Sequence, residues 1–259
     1  MPEKTANLNL SGKIALITGA SRGLGKAMAL ALSSAGATIA LVARNADKLE
    51  AVQNEIQQSG GIASFFLADV TREQDVKRVE AEVSQRLGRI QILINNAGIN
   101  IRKDLIDFSL EEWQRVIDSS LTSTFLMCRA FVPHMKATGY GRILNMTSIM
   151  SHVSLPGRSA YSSCKAALLG LTRALALELA AEGITVNGIS PGPFGTEMNQ
   201  TIMQIPERWP AIYARRPPAS LPGRIFSSTV AGAPGRLDVP NVWRINIRFE
   251  SYAGDHRGS

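Results

Sequence analysis

Tyr161 and Lys165 stand four residues apart in the run Tyr-Ser-Ser-Cys-Lys, and Ser148 lies thirteen residues upstream. On a helix, positions i and i+4 share one face, so the phenol and the ammonium can meet. A free phenol titrates near ~10 and is a reluctant acid or base at neutral pH. A neighbouring ammonium stabilises the phenolate and eases the proton transfer. A serine hydroxyl beside the pair can hydrogen-bond a substrate oxygen and steady it. Ser148, Tyr161 and Lys165 are therefore the candidate catalytic residues, and their chemistry is the proton half of a carbonyl reduction. A separate hydride donor must complete it. Tyr-x3-Lys alone matches many chains by chance; its weight here depends on its surroundings.

The surroundings begin with a glycine-rich turn: Thr18, Gly19, Ala20, Ser21, Arg22, Gly23, Leu24 and Gly25. An apolar run, 14–18, feeds into it, and a helical pattern leaves it near Gly23. Glycines there permit a tight turn and let backbone N–H groups approach a pyrophosphate with no Cβ in the way. The helix N-terminus behind them favours the phosphate charge. Gly19, Ser21, Arg22, Gly23, Leu24 and Gly25 are thus candidate cofactor-binding residues. An NAD site usually carries an acid after the second strand, to accept from the adenosine ribose. Here that strand runs into Arg44 and Asn45, with no acid. Arg44, with Arg22 in support, suits a 2′-phosphate. NADP(H) is expected in preference to NAD(H).

Short apolar runs at 14–18, 38–43, 63–68, 90–95, 142–147 and 185–189 alternate with helical stretches at about 23–35, 46–58, 72–87, 109–135 and 159–182. The strand-like runs are nearly continuous in apolar residues, as strands covered on both faces are. This rhythm predicts an α/β fold with a doubly wound parallel sheet. Leu168, Leu171, Leu175 and Leu179 fall at helical spacing and are expected to face that sheet. The stretches 121–132 and 166–180 are apolar nearly all round, which requires burial on more than one side. Covering by the same chain would suffice; a homo-oligomer interface through the helices near 109–135 and 159–182 is the favoured expectation.

The chain has 259 residues, 45% of them hydrophobic, enough for one sizeable core. No apolar run reaches the ~18–20 residues of a membrane span. The start, Met-Pro-Glu-Lys-Thr-Ala-Asn, lacks the form of a secretory signal. Cys128 and Cys164 have no metal-like spacing, so no metal site is expected, and two buried reduced thiols in a cytoplasmic protein are. The formal charge is +7, but residues 206–259 hold eight Arg against four acids and carry more than half of it. With no basic run interleaved with aromatics, nucleic acid is not an expected partner. A small carbonyl or alcohol substrate is.

Residues 8–200 resemble the short-chain dehydrogenase/reductase family. The turn 18–25 resembles the family's Thr-Gly-x3-Gly-x-Gly cofactor turn. Asp69 and Val70, after the third strand, resemble its adenine contact. Asn95, Asn96, Ala97 and Gly98 resemble the fourth-strand motif that supports the sheet and borders the cofactor. Ser148, Tyr161 and Lys165 match the catalytic trio. Pro191, Gly192 and Thr196 resemble the segment that meets the nicotinamide and its carboxamide. The resemblance implies a Rossmann-like sheet, Tyr161 as acid–base, Lys165 holding the ribose hydroxyls and tuning Tyr161, and Ser148 steadying the substrate. It also makes a gluconate 5-dehydrogenase-like role or a 3-oxoacyl thioester reductase role plausible. In the segment 98–103, Arg102 and Lys103 place two cations where a substrate carboxylate could be met; a solvated loop would read the same.

Two departures stand out. Where the family has an Asn in the helix before the catalytic strand, this chain has Ser120, with a shorter reach and no amide. After about residue 205 the pattern collapses: residues 206–259 hold seven of the twelve prolines and no Lys, and only 239–249 hints at a strand. The expected organisation is a dinucleotide-binding and catalytic domain, 1–205, followed by an atypical Pro/Arg-rich tail, 206–259, that forms no separate domain and is expected to be disordered. A reading-frame shift or true divergence would each produce such a tail. The family's covering helix and last strand are not found there. A nucleotide-binding protein with impaired turnover is therefore the alternative to an active enzyme.

Overall fold

The computed structural model describes residues 9–192. In chain order they form β1 (Ile14–Thr18), α1 (Gly23–Ser34), β2 (Thr38–Ala43), α2 (Ala46–Gln58), β3 (Ala63–Leu67), α3 (Glu73–Arg86), β4 (Ile92–Asn95), α4 (Leu110–Ile117), α5 (Ser123–Lys136), β5 (Gly141–Met146), α6 (Ser159–Leu179) and β6 (Ile184–Ile189). Thr196, the tail 206–259 and the strand-like run 239–249 lie outside the described residues.

The six strands form one parallel sheet in the order β3-β2-β1-β4-β5-β6. Successive strand residues point to opposite faces, and both faces are apolar. Leu16, Ala40, Val42, Leu93 and Ile143 pack one way, against α3, α5 and the end of α6. Ile17, Ile39, Leu41 and Ile94 pack the other way, against α1 and α2. Burying both sides of a strand is why the runs read as continuous rather than alternating. Each large apolar side chain so buried contributes on the order of 1.5–3 kcal/mol. The order reverses between β1 and β4, and in an open sheet of this kind the crevice outside that reversal, at the carboxyl ends of the strands, is where ligands bind. Among the described residues β6 pairs only with β5.

The helical stretch expected at 109–135 is helical from Leu110 to Lys136, with one π turn inside it. Ser109 caps α4 in a reciprocal box with Glu112. The backbone then widens into a π-helical turn at Asp118–Thr122 before α5 begins. Hydroxyls in and just after this turn bond preceding carbonyls: Ser119 donates to the Val116 carbonyl, Ser123 to Ser119 and Thr124 to Ser120. Side chains that bond preceding carbonyls loosen and bend a helix, and single π turns are often found at functional sites. The stretch at 159–182 is α6 followed by a short 3-10 turn, closed by Gly183 at φ 70°.

Of the two over-apolar stretches, each is only partly covered. Leu169 is buried within the chain, whereas Leu177 and Phe125 are exposed. Leu168 and Leu179 are buried as expected, and Leu171 and Leu175 are half-buried. Cys128 and Cys164 are both buried and free. No helix among the described residues is long and apolar enough to cross a membrane.

Candidate active site

The glycine turn leaves the carboxyl end of β1 and enters α1. Gly19 and Gly23 adopt φ 64° and 54°, conformations that a side chain would strain. Gly25 has an ordinary φ but no room: a methyl there would fall on the Gly19 carbonyl and the Asn96 side chain. Asn96 is the brace of this turn. Its Nδ2 donates to the Thr18 and Gly19 carbonyls at 2.9 and 3.2 Å, and its amide donates to Thr18 Oγ1 at 3.0 Å. The Ala97 amide also donates to Thr18 Oγ1, at 3.0 Å. Arg22 precedes α1 without a side-chain cap, and the first turn holds no acid. The leading amides of α1 thus carry no capping side chain, and such amides favour an anion. A dinucleotide pyrophosphate fits this end of the sheet.

Arg44 leaves the end of β2 exposed, its guanidinium 3.7 Å from Asp69 Oδ2. Asp69 Oδ1 accepts from the Thr71 amide and hydroxyl at 3.1 and 2.7 Å, which holds the Asp69-Val70 loop beside Arg44. Both stand at the same sheet edge as the glycine turn, with Val70 buried beneath.

On the other side of the reversal, β5 ends and Ser148 opens a short 3-10 turn. Its Oγ accepts from the Met150 amide at 3.1 Å. Its own O–H has no acceptor among the described residues, and so remains a donor. Ser151 joins this turn to α6: its Oγ accepts from the Ser148 amide at 3.2 Å and donates to the Lys165 carbonyl at 2.8 Å. The Lys165 ammonium is buried, donates to the Met146 carbonyl at 2.5 Å, and lies 5.7 Å from the centroid of the Tyr161 ring. The helix face therefore delivers the phenol and the ammonium to one place, beside the end of β5. The Ile149 amide donates to the Pro191 carbonyl at 3.1 Å, which draws Pro191 and Gly192 to the same edge.

A buried polar chain holds these strands in register. Asn95 Nδ2 donates to Asn145 Oδ1 at 2.9 Å, Asn145 Nδ2 to Thr172 Oγ1 at 3.0 Å, and Thr172 Oγ1 to the Leu168 carbonyl at 2.6 Å. Neither Asn145 nor Thr172 carries a local signal; their partners lie 50 and 27 residues away. Ser120 is fully buried on the π turn, and its Oγ has no hydrogen-bond partner. A methyl placed on Gly98 would lie 2.9 Å from Ser120 Oγ and 3.7 Å from Lys165 Nζ, so Gly98 keeps open the space where these groups meet.

The pair of cations at 102–103 divides. Lys103 is taken by Glu112, at 2.6 Å. Arg102 is half-buried, and burial draws its guanidinium below the usual arginine range while Tyr161 acts on it in the opposite sense. Arg158, absent from the sequence-derived site, joins it: burial and the Arg102 charge pull its pKa down to about 10, offset by Tyr161. It remains a cation at neutral pH. Its place three residues before Tyr161 was the one sequence signal available.

The family model described as short chain dehydrogenase matches residues 13–206. A 3-oxoacyl-[acyl-carrier-protein] reductase of Synechocystis sp. is 39% identical over 194 residues, 74% of this chain and 78% of that protein. Gluconate 5-dehydrogenase of Gluconobacter oxydans is 36% identical over 217 residues, 84% of each. The crystal structure of a gluconate 5-dehydrogenase from Burkholderia cenocepacia in complex with NADP and tartrate superposes with a TM-score of 0.75 at 34% identity, over 78% of this chain and 79% of that one. The crevice at the strand reversal, the braced glycine turn and these matches agree: the chain belongs to the short-chain dehydrogenase family, whose members are NAD(P)-dependent oxidoreductases.

Proposed function

We propose that the protein interconverts a ketone and a secondary alcohol with NADP(H), with Tyr161 as the acid–base group. The observation that supports this reading is the Lys165 ammonium, which bonds the Met146 carbonyl two residues before Ser148 and lies 5.7 Å from the centroid of the Tyr161 ring. The bound nicotinamide supplies or accepts the hydride. The Ser148 O–H donates to the substrate oxygen and orients the carbonyl toward Tyr161. Tyr161 gives its proton to that oxygen in reduction and takes it back in oxidation. Lys165, anchored by Met146, holds the ribose hydroxyls and the phenolate. Gly19, Ser21, Arg22, Gly23, Leu24 and Gly25 cradle the pyrophosphate, Asp69 and Val70 border the adenine, Asn96, Ala97 and Gly98 line the crevice, and Pro191, Gly192 and Thr196 meet the nicotinamide. Oxidation of NADPH over a panel of ketones tests the reaction; turnover that survives Tyr161→Phe would refute it.

NADP(H) is favoured by Arg44, exposed at the end of β2 where no acid follows the strand. NADP also occupies the Burkholderia relative. The substrate is a keto-sugar acid or a 3-oxoacyl thioester, the two classes named among the relatives above. The exposed Phe125 and Leu177, on α5 and α6, suit a homo-oligomer built through those helices. Two free thiols suit a reducing, cytoplasmic setting. The catalytic unit is assigned to residues 1–205.

A second reading is a nucleotide-binding protein with little turnover. It draws on the composition of 206–259 and on β6, which pairs on one side only among the described residues. NADPH binding with no oxidation across the ketone panel would favour it.

A further inference from the structure

Arg158 is the N-terminal neighbour of α6 and is only 8% exposed. Its Nη1 is buried and has no hydrogen-bond partner, and among the described residues no carboxylate pairs with it. The loop that carries it packs on the loop that carries Arg102: a methyl placed on Gly157 would lie 3.6 and 3.7 Å from the Lys103 carbonyl oxygen and amide nitrogen. Arg102 and Arg158 are thus brought together from positions 56 apart in sequence, and both interact electrostatically with Tyr161. The third cation of the neighbourhood, Lys103, is neutralised by Glu112 and turned to other use.

A buried guanidinium beside another guanidinium is unfavourable twice over, through lost hydration and like-charge repulsion. Such an arrangement is stabilised when an anion enters between or beside the two. Arginine suits a planar carboxylate in particular, because its fork can donate two parallel hydrogen bonds. The location decides what that carboxylate belongs to. Arg158 lies three residues, about one helical turn, before Tyr161, where the substrate's reacting oxygen sits under the proposed reaction.

We propose that Arg158, together with Arg102, forms a carboxylate-binding subsite for the substrate, so that the substrate is a hydroxy acid or keto acid rather than a neutral ketone or an acyl thioester. This rests on the assignment of Tyr161 as the group that meets the reacting oxygen. It selects the acid from the two substrate classes, and it adds Arg158 as a residue that determines specificity. The two guanidiniums bind the carboxylate, and the hydroxyl or keto carbon further along the chain is set before Tyr161.

The test uses the full-length protein held as its NADPH complex, in which an alcohol cannot be oxidised. Gluconate and glucitol, which differ by a carboxylate in place of a hydroxymethyl group, are titrated against it by calorimetry. Gluconate is expected to bind at least ~10-fold more tightly than glucitol. Arg158→Gln is expected to weaken gluconate by ~10- to 100-fold, as loss of a charged hydrogen bond does. Arg158→Lys, which keeps the charge without the fork, is expected to recover part of that loss. Equal binding of the two ligands, or a gluconate affinity in Arg158→Gln within about twofold of wild type, overturns the proposal. Should Arg158→Gln fail to fold by thermal melting, Arg102→Gln carries the same titration with the same expected loss. Turnover separates the two levels of the argument. Neutral ketones reduced as efficiently as keto acids would remove the subsite and leave the reaction standing. Discrimination for gluconate with no turnover on any ketone would remove the reaction and leave the subsite standing.

Discussion

The Lys165 ammonium donates to the main-chain carbonyl of Met146 at 2.5 Å. This bond ties the catalytic helix to the last residue of β5, and it fixes a buried cation that meets no carboxylate among the described residues. The ammonium has three donors. One is spent on Met146, which leaves the others for the Tyr161 side and for a ribose. In the proposed reaction Lys165 is a positioning group as much as an electrostatic one, and Tyr161 is the group that exchanges the proton.

Tyr161→Phe removes the exchangeable proton and keeps the ring. Turnover is expected to fall by ~10²- to 10⁴-fold, the range for loss of a general acid–base group. NADPH affinity, read by fluorescence titration, is expected to stay within about twofold. Lys165→Met should lower both turnover and NADPH affinity, since it removes the ribose donor as well.

Arg44→Asp places an acid where an NAD site carries one and removes the cation offered to a 2′-phosphate. NADPH affinity is expected to fall by ~10- to 100-fold, and NADH affinity to hold or rise. Competing titrations of the two reduced cofactors check this; wild-type protein that binds NADH as well as NADPH would already contradict the preference.

Gly25→Ala puts a methyl onto the Gly19 carbonyl and the Asn96 amide, groups that cannot retreat without breaking the brace on Thr18. Overpacking of this kind costs about 1–3 kcal/mol. The melting temperature of the variant is expected to drop, and NADPH is expected to raise it less than it raises wild type.

Burial pushes the Cys128 thiol up to about 12, against a hydrogen bond from Asn95 that works the other way. A thiol whose folded pKa lies above its unfolded value near 9.0 stabilises the fold fully below that value. The stabilisation is lost as pH rises from 9 towards 12, because the unfolded chain sheds a proton that the folded one keeps. Chemical denaturation from pH 8 to 10.5 is expected to show falling stability above about pH 9, with a shallower fall in Cys128→Ser. Neither Cys128 nor Cys164 is expected to react with a thiol reagent at pH 8 until the protein unfolds.

Local chemistry was legible from the chain alone. The Tyr161–Lys165 spacing settles which face of α6 they share, the apolar runs locate the strands to within two residues at either end, and the glycines at 19 and 23 announce a turn, because each of these depends only on neighbours a few residues away. The π turn inside the helix at 110–136 was not legible, since hydroxyls there bond backbone carbonyls rather than solvent.

What only the tertiary structure decided are the meetings of distant residues. Asn95 finds Asn145, Lys165 finds Met146, Lys103 is claimed by Glu112, and Arg158 comes to rest beside Arg102. A sequence states which charges and hydroxyls exist. It does not state which of them lose water together, and that loss decides whether a cation is spent on a neighbour or held ready for a ligand.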